Sequence, residues 1–123
     1  MTDKGSKKKK SPMELSLRLL RGEGKRVGIV ERRLPIPGKF VTVDLWGFGD
    51  IIFVDATRKI TGLVQTTSAS NFAARVRKVQ EGTGWIDWLS VPCNRIEVHG
   101  WSLRKRGTKQ RRYEVRRMEI VAP

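Results

Sequence analysis

Two apolar stretches separated by a five-residue turn constrain this chain more than any other feature. Ile51-Ile52-Phe53-Val54 is continuously apolar, residues 55–59 carry turn chemistry, and residues 60–67 return to a β-branched, apolar pattern. A short apolar run bounded by turn signals reads as a strand, and a continuous one as a strand buried on both faces. Joined this way, the two strands make an antiparallel hairpin. With its turn centred on Thr57 and Arg58, Asp50 stands across from Gln65. Cross-strand neighbours have Cβ atoms about 4.5–5.5 Å apart. A carboxylate and an amide oxygen at that spacing can share one hard cation, and Mg²⁺ often takes one or two protein carboxylates plus waters. Gln65 and Thr67, two apart, point to the same side. Gly47 and Gly49 flank Phe48 and permit close approach of backbone or ligand. The bland alternative is that Asp50 caps a turn and Gln65 is an ordinary polar residue.

The remaining pattern surrounds this hairpin with helices and further strands. Residues 12–21 read as a helix, with Ser11 as N-cap, Pro12 in the first turn and Gly22 as the stop. Met13, Leu17 and Leu20 share one face, and Glu14, Arg18 and Arg21 another. Residues 27–34 read as a strand ended by Pro35-Ile36-Pro37-Gly38, and residues 40–45 as a short strand or the lead-in to the next. Residues 68–79 are helical, with a core face of Phe72, Val76 and Val79 and a polar face of Asn71, Arg75 and Lys78. Residues 85–89 form a further apolar segment, read as a second short helix. Residues 95–103 and 112–121 read as a C-terminal β-hairpin. The expected architecture is a mixed sheet flanked by helices, of the α/β or α+β class. Residues 12–123 form a single domain, with no internal repeat and no interdomain linker.

Charge narrows the partner. The chain of 123 residues carries 26 Lys+Arg against 12 Asp+Glu, a formal charge of +14. A small domain that repels itself this strongly points to a polyanion, nucleic acid first and an anionic membrane surface or acidic protein second. One group of cations lies in residues 1–11, which hold Lys4 and Lys7 to Lys10, have almost no apolar content, and read as a disordered basic tail. A second runs through Arg95, Arg104, Lys105, Arg106, Lys109, Arg111, Arg112, Arg116 and Arg117, with Gly107 and Thr108 marking a basic hairpin tip suited to phosphates. No apolar run approaches the roughly 18–20 residues of a membrane helix, and no N-terminal apolar segment reads as a secretion signal. The expectation is a cytoplasmic protein with no membrane partner, in a prokaryotic or viral context.

Several other residues invite a chemical reading. His99 is the single histidine, and alternation places Glu97, His99 and Trp101 on one strand face. A general base near pH 7 would need His99 beside a metal; a structural histidine is the plainer reading. Cys93 stands alone, so an internal disulfide and a cysteine metal cluster are excluded. One Cys and one His make a poor zinc set. No phosphate-loop glycine pattern is present. Of the four tryptophans, Trp46 is the best candidate for stacking on an unpaired base, while Trp85 and Trp88 suit packing or a dimer interface.

Trp46-Gly47-Phe48-Gly49-Asp50, an apolar strand, a turn, then Gly62-Leu63-Val64-Gln65-Thr66-Thr67-Ser68 and a helix together resemble the core of the PD-(D/E)XK nuclease superfamily. The chain is most similar to the small Holliday junction resolvases of archaeal type and to virus-type nucleases, over residues 12–101. The resemblance implies a restriction-endonuclease-like αβββαβ core. It implies that Asp50 is the metal-binding aspartate and that Gln65 occupies the position of the usual Glu or Asp. Glu14 matches an acidic residue that many members place beside the metal. Thr67 stands where the family has its lysine, and a hydroxyl cannot supply that positive charge; Lys78 or Arg75 on the following helix could substitute. Asp44 is a possible second acidic ligand, whereas Asp55 lies about five residues, or roughly 16 Å, from Asp50.

The implied activity is Mg²⁺- or Mn²⁺-dependent hydrolysis of phosphodiester bonds in branched or otherwise structured DNA, by a homodimer with two sites. Catalytic roles fall on Asp50, Gln65, Thr67, Glu14 and Lys78, and metal ligation on Asp50, Gln65 and Glu14. Nucleic-acid contacts fall on Arg75, Lys78, Arg104, Lys105, Arg106, Lys109, Arg111, Arg112 and Trp46. Two alternatives remain open at the level of sequence. One is a nuclease-fold protein that binds nucleic acid without cutting. The other is an RNA- or ribosome-associated basic protein of unrelated fold.

Overall fold

The computed structural model describes residues 10–106 and 110–123, with the side chains of Phe40, Lys105, Arg106, Gln110 and Arg111 left out of the description. The first helix, α1 (Pro12–Gly22), begins where the sequence supplies both halves of a capping box. The Glu14 backbone N–H donates to Ser11 Oγ at 3.1 Å, and the Ser11 N–H donates to Glu14 Oε1 at 3.2 Å. These bonds satisfy donors that a helix start otherwise leaves unpaired. Residues 1–9 of the expected basic tail lie outside the described residues. Lys10 is already part of the fold, its N–H donating to the Tyr113 hydroxyl at 3.0 Å.

The strand expected over residues 27–34 is two strands. β1 (Arg26–Ile29) pairs with β4 (Ile51–Asp55), and the Val30 N–H makes a further bond to the Asp50 carbonyl at 2.9 Å. Beyond Glu31 the chain leaves this sheet. β2 (Arg32–Ile36) and β3 (Lys39–Val43) pair only with each other, around a turn in which Gly38 takes φ +84°. Pro35 therefore sits inside a strand instead of ending one. A two-stranded ribbon has only edge strands, where a missing N–H is tolerated.

β4 and β5 (Ile60–Ser68) pair antiparallel from Ile51↔Val64 to Asp55↔Ile60, the register expected from the sequence. β4 is not buried on both faces along its length. Ile51 and Phe53 face a core, but Val54 on the other face is 45% exposed. After β5 a tight turn at Ala69–Asn71 leads into α2 (Phe72–Val79), so the regular helix starts later than residue 68. α3 (Gly84–Leu89) follows, then the long strands β6 (Asn94–Arg106) and β7 (Gln110–Ile120). The tip of that hairpin, residues 107–109, lies outside the described residues.

The main sheet has the order β1-β4-β5-β6-β7. Its one parallel pair is β5–β6, joined by the α2–α3 crossover, which makes the sheet mixed and the architecture α/β with helices on both faces. On one face, Leu17 and Leu20 of α1 pack on Ile51, Phe53, Ile60 and Val64. On the other, Phe72, Val79 and Trp85 pack on Phe48, Leu63, Ile96, Val98 and Ile120. Among the described residues no helix is long and apolar enough to cross a membrane.

Candidate functional site

At the end of the sheet where β4 begins and β5 finishes, the N-terminus of α1 and the polar face of α2 border a cleft of about 650 Å³. Asp50 is its pivot. The Asp50 N–H donates to the Val64 carbonyl at 2.9 Å, and its own carbonyl accepts from Val30, so the residue is clamped from both neighbouring strands. Its Oδ2 accepts from Gln65 Nε2 at 2.9 Å, the Thr66 N–H at 2.8 Å and the Thr66 hydroxyl at 3.2 Å. Asp50 and Gln65 stand side by side, as the hairpin register leads one to expect, but the amide donates to the carboxylate directly.

Glu31 was missed by the sequence reading. It follows β1 and precedes β2; Asp44 follows β3. Extending the β2–β3 register one step beyond Arg32↔Val43 sets Glu31 and Asp44 opposite each other at the root of the ribbon. One carboxylate oxygen from each of Glu31, Asp44 and Asp50 lies within 4.8 Å of the others. Gln65 lines the same cleft and is 2% exposed, and its Oε1 is buried with no hydrogen-bond partner among the described residues. An unsatisfied buried carbonyl oxygen costs free energy unless something occupies it.

The electrostatics follow from this crowding. Burial pushes Asp50 up, to about 7; the contact with Asp44 and the charges of Asp44 and Glu31 add to the rise, against the pull of the Thr66 N–H. Burial also raises Glu31, assisted by the charge of Asp44 and opposed by a hydrogen bond with Asp50. Burial works against Asp44 as well, but its bonds to Asp50 and Lys78 outweigh that and hold it below the ordinary range. Asp50 Oδ2 accepts from three donors, and crowding three carboxylates together favours a proton, or a divalent cation in its place, among them.

The other expected site residues divide by position. Thr67 is buried and lines the cleft, as do Arg75 and Lys78. Lys78 Nζ sits 3.0 Å from Asp44 Oδ2. Glu14 does not join the acidic group: its carboxylate is bound at Ser11 in the capping box. Trp46 is exposed beside the cleft. Arg104 pairs with Glu114 at 2.8 Å on the distal part of the β6–β7 hairpin, opposite the exposed Arg112. Lys109 and the side chains of Lys105, Arg106 and Arg111 fall outside the described residues.

His99 belongs to a different region. It is fully buried beneath α1, with Nδ1 2.8 Å from Ser16 Oγ and Nε2 2.8 Å from Glu97 Oε1. The Trp101 indole N–H donates to Ser16 Oγ at 2.9 Å. Arg117 bonds both Glu97 and Glu23. Burial would raise Glu97, but His99 and Arg117 overcome it and bring the carboxyl down to about 2. This network ties α1 to β6 and β7 and does not open into the cleft.

Comparison of the chain with protein-family models, curated proteins and solved structures gives no match.

Proposed function

We propose that the protein is a metal-dependent DNA endonuclease that hydrolyses phosphodiester bonds in branched or structured DNA, acting as a homodimer. The observation that carries this reading is the convergence of Glu31, Asp44 and Asp50 on a cleft where buried Gln65 Oε1 has no partner. The donors are all oxygen, which suits Mg²⁺ or Mn²⁺. Asp50, Asp44, Glu31 and Gln65 would hold the ion, with Glu31 and Asp44 in place of Glu14. A bound divalent cation supplies charge stabilisation at a phosphodiester oxygen and a more acidic water.

The chain's own residues supply the rest. Lys78 brings a positive Nζ to the rim of the acidic group and stands in for the lysine absent at Thr67. Arg75, one turn earlier on α2, extends that charge along the cleft and positions the phosphate backbone. Gln65 and Thr66 orient the Asp50 carboxylate through its Oδ2. The chain order α1, β1, β4, β5, α2, β6 supports an αβββαβ core with the β2–β3 ribbon inserted.

One observation favours a second reading. Thr67 offers only a hydroxyl, and Lys78 is ion-paired with Asp44, so a scaffold that binds DNA without cutting has the same groups available. A cleavage assay with Mg²⁺ and Mn²⁺ on four-way junction, flap, single-stranded and linear duplex DNA separates the two. The endonuclease cuts at least one of these, and Asp50→Ala or Glu31→Gln abolishes cutting while retaining binding. Wild-type binding without cleavage of any form establishes the second reading instead.

A further inference from the structure

Adjacent residues of one loop line two different cavities: Gly47 lines the acidic cleft, and Trp46 lines a second space of about 390 Å³. Trp46 is unusual in two ways. Its φ is 52°, a left-handed conformation that bulky side chains rarely adopt, and its side chain is 62% exposed. The left-handed backbone belongs to the tight turn that closes Leu45 onto Gly49, where the Phe48 N–H donates to the Leu45 carbonyl at 3.0 Å, and that turn carries a large apolar ring into water. Strain retained in this way clusters at binding sites.

Beside the Trp46 ring lie two other aromatic rings. Its centroid lies 6.0 Å from that of Trp88 and 6.5 Å from that of Phe48, both tilted. Trp88 is itself fixed, its indole N–H donating to the Arg95 carbonyl at 2.8 Å. Val91 completes the apolar wall, and Asp87 and Asn94 supply the polar groups. Asn94 Nδ2 is committed to the Trp88 carbonyl at 2.9 Å. What the cavity offers a ligand is therefore an aromatic face, hydrogen-bond acceptors and a negative charge. A phosphate is repelled by Asp87. A planar ring with N–H groups on its edge matches both the wall and the acceptors.

We propose that this cavity takes an unpaired base of a DNA strand, stacked on Trp46, while the backbone of that strand lies along Arg75 and Lys78 in the neighbouring cleft. The choice of DNA rests on the endonuclease reading. The +14 charge of the chain favours the strand as a whole, and the single acidic residue at this cavity selects its base over its phosphate. A base held in a duplex is already stacked on both faces and cannot enter. The favoured substrate is DNA with a gap, flap or open junction.

The test is binding in EDTA, which removes cleavage from the measurement. The probes are a fluorescent single-stranded oligonucleotide and the corresponding blunt duplex. The wild type should prefer the single strand, whose binding should quench tryptophan emission. Trp46→Gly should weaken single-strand binding about tenfold and abolish the preference. Glycine accepts the left-handed backbone freely but gives up the ring's contacts with Phe48 and Trp88, so binding is titrated well below the melting temperature of both proteins, which separates lost stacking from lost folding. Trp46→Phe keeps an aromatic face and should retain most of the preference. A wild type that prefers duplex, or a Trp46→Gly variant with undiminished single-strand affinity, overturns the proposal. Failure of the endonuclease reading shows elsewhere, as a cleavage assay that Asp50→Ala does not change.

Discussion

Asp50 is where sequence, burial and chemistry meet in one side chain. Its Oδ2 is saturated by donors from Gln65 and Thr66, and its ionised form is disfavoured by burial and by two carboxylate neighbours. An acid whose folded pKa is raised from 3.8 to about 7 contributes stability that is complete below pH 4 and is lost as pH rises through 7. At high pH, without a cation, the ionised group costs on the order of a few kcal/mol. Asp50→Asn keeps an acceptor for Thr66 and a donor toward Asp44 but cannot ionise. In EDTA the variant should melt above wild type at pH 8.5, with the gap narrowing as pH falls below 7 and closing only near pH 4. Mn²⁺ should raise the wild-type melting temperature at pH 8.5 and leave the variant unmoved. Thermal melts across this range decide it; a gap of equal size at both pH values contradicts the assignment of the proton to Asp50.

The elements differ in how openly the sequence declared them. The β4–β5 hairpin was legible because a continuous apolar run, a polar turn and a second β-rich run leave few other ways to pair. The partner of Phe53 across that hairpin explains Gly62: a Cβ there would lie 2.1 Å from the Phe53 ring. Gly62→Ala should therefore destabilise by about 1–3 kcal/mol, read as a lower urea midpoint, while Phe53→Leu in the same background should recover part of the loss. Full stability in the single variant would mean the ring does not occupy that space. The β2–β3 ribbon was not legible, because residues 27–34 show no local break. What interrupts them is tertiary: Val30 makes its last bond to Asp50, and the chain then pairs with itself. Glu31 was missed for the same reason. Among Arg32 and Arg33 it looks like one more solvated charge, and only the ribbon's register brings it against Asp44. Glu14 sits apart from the acidic group, because its spacing from Ser11 builds a capping box.

At the scale of the whole molecule, the +14 charge points toward a polyanion without saying which face would meet it. The structure sorts the cations by what they touch. Arg95, Arg104 and Arg117 are engaged by Glu119, Glu114 and the Glu23–Glu97 pair. Arg116 is held differently, its guanidinium 4.5 Å above the ring of Phe72, the first residue of α2. One turn further along that helix is Arg75, and then Lys78 in the cleft. A strand of phosphates entering the cleft would pass Arg116 first, so its side chain should contribute one backbone contact and no sequence preference. Binding of single-stranded DNA should weaken steeply with salt, and Arg116→Gln should lower the slope of log K against log salt by about 0.7. Affinity should fall to a similar extent for every sequence tested. The lost cation–π contact costs about 0.5–1 kcal/mol of folding stability at an exposed site, so the titration is run well below the melting temperature of both proteins. An unchanged salt slope would move the phosphate path off the α2 face, toward the distal end of the β6–β7 hairpin where Arg104 and Arg112 stand opposite each other.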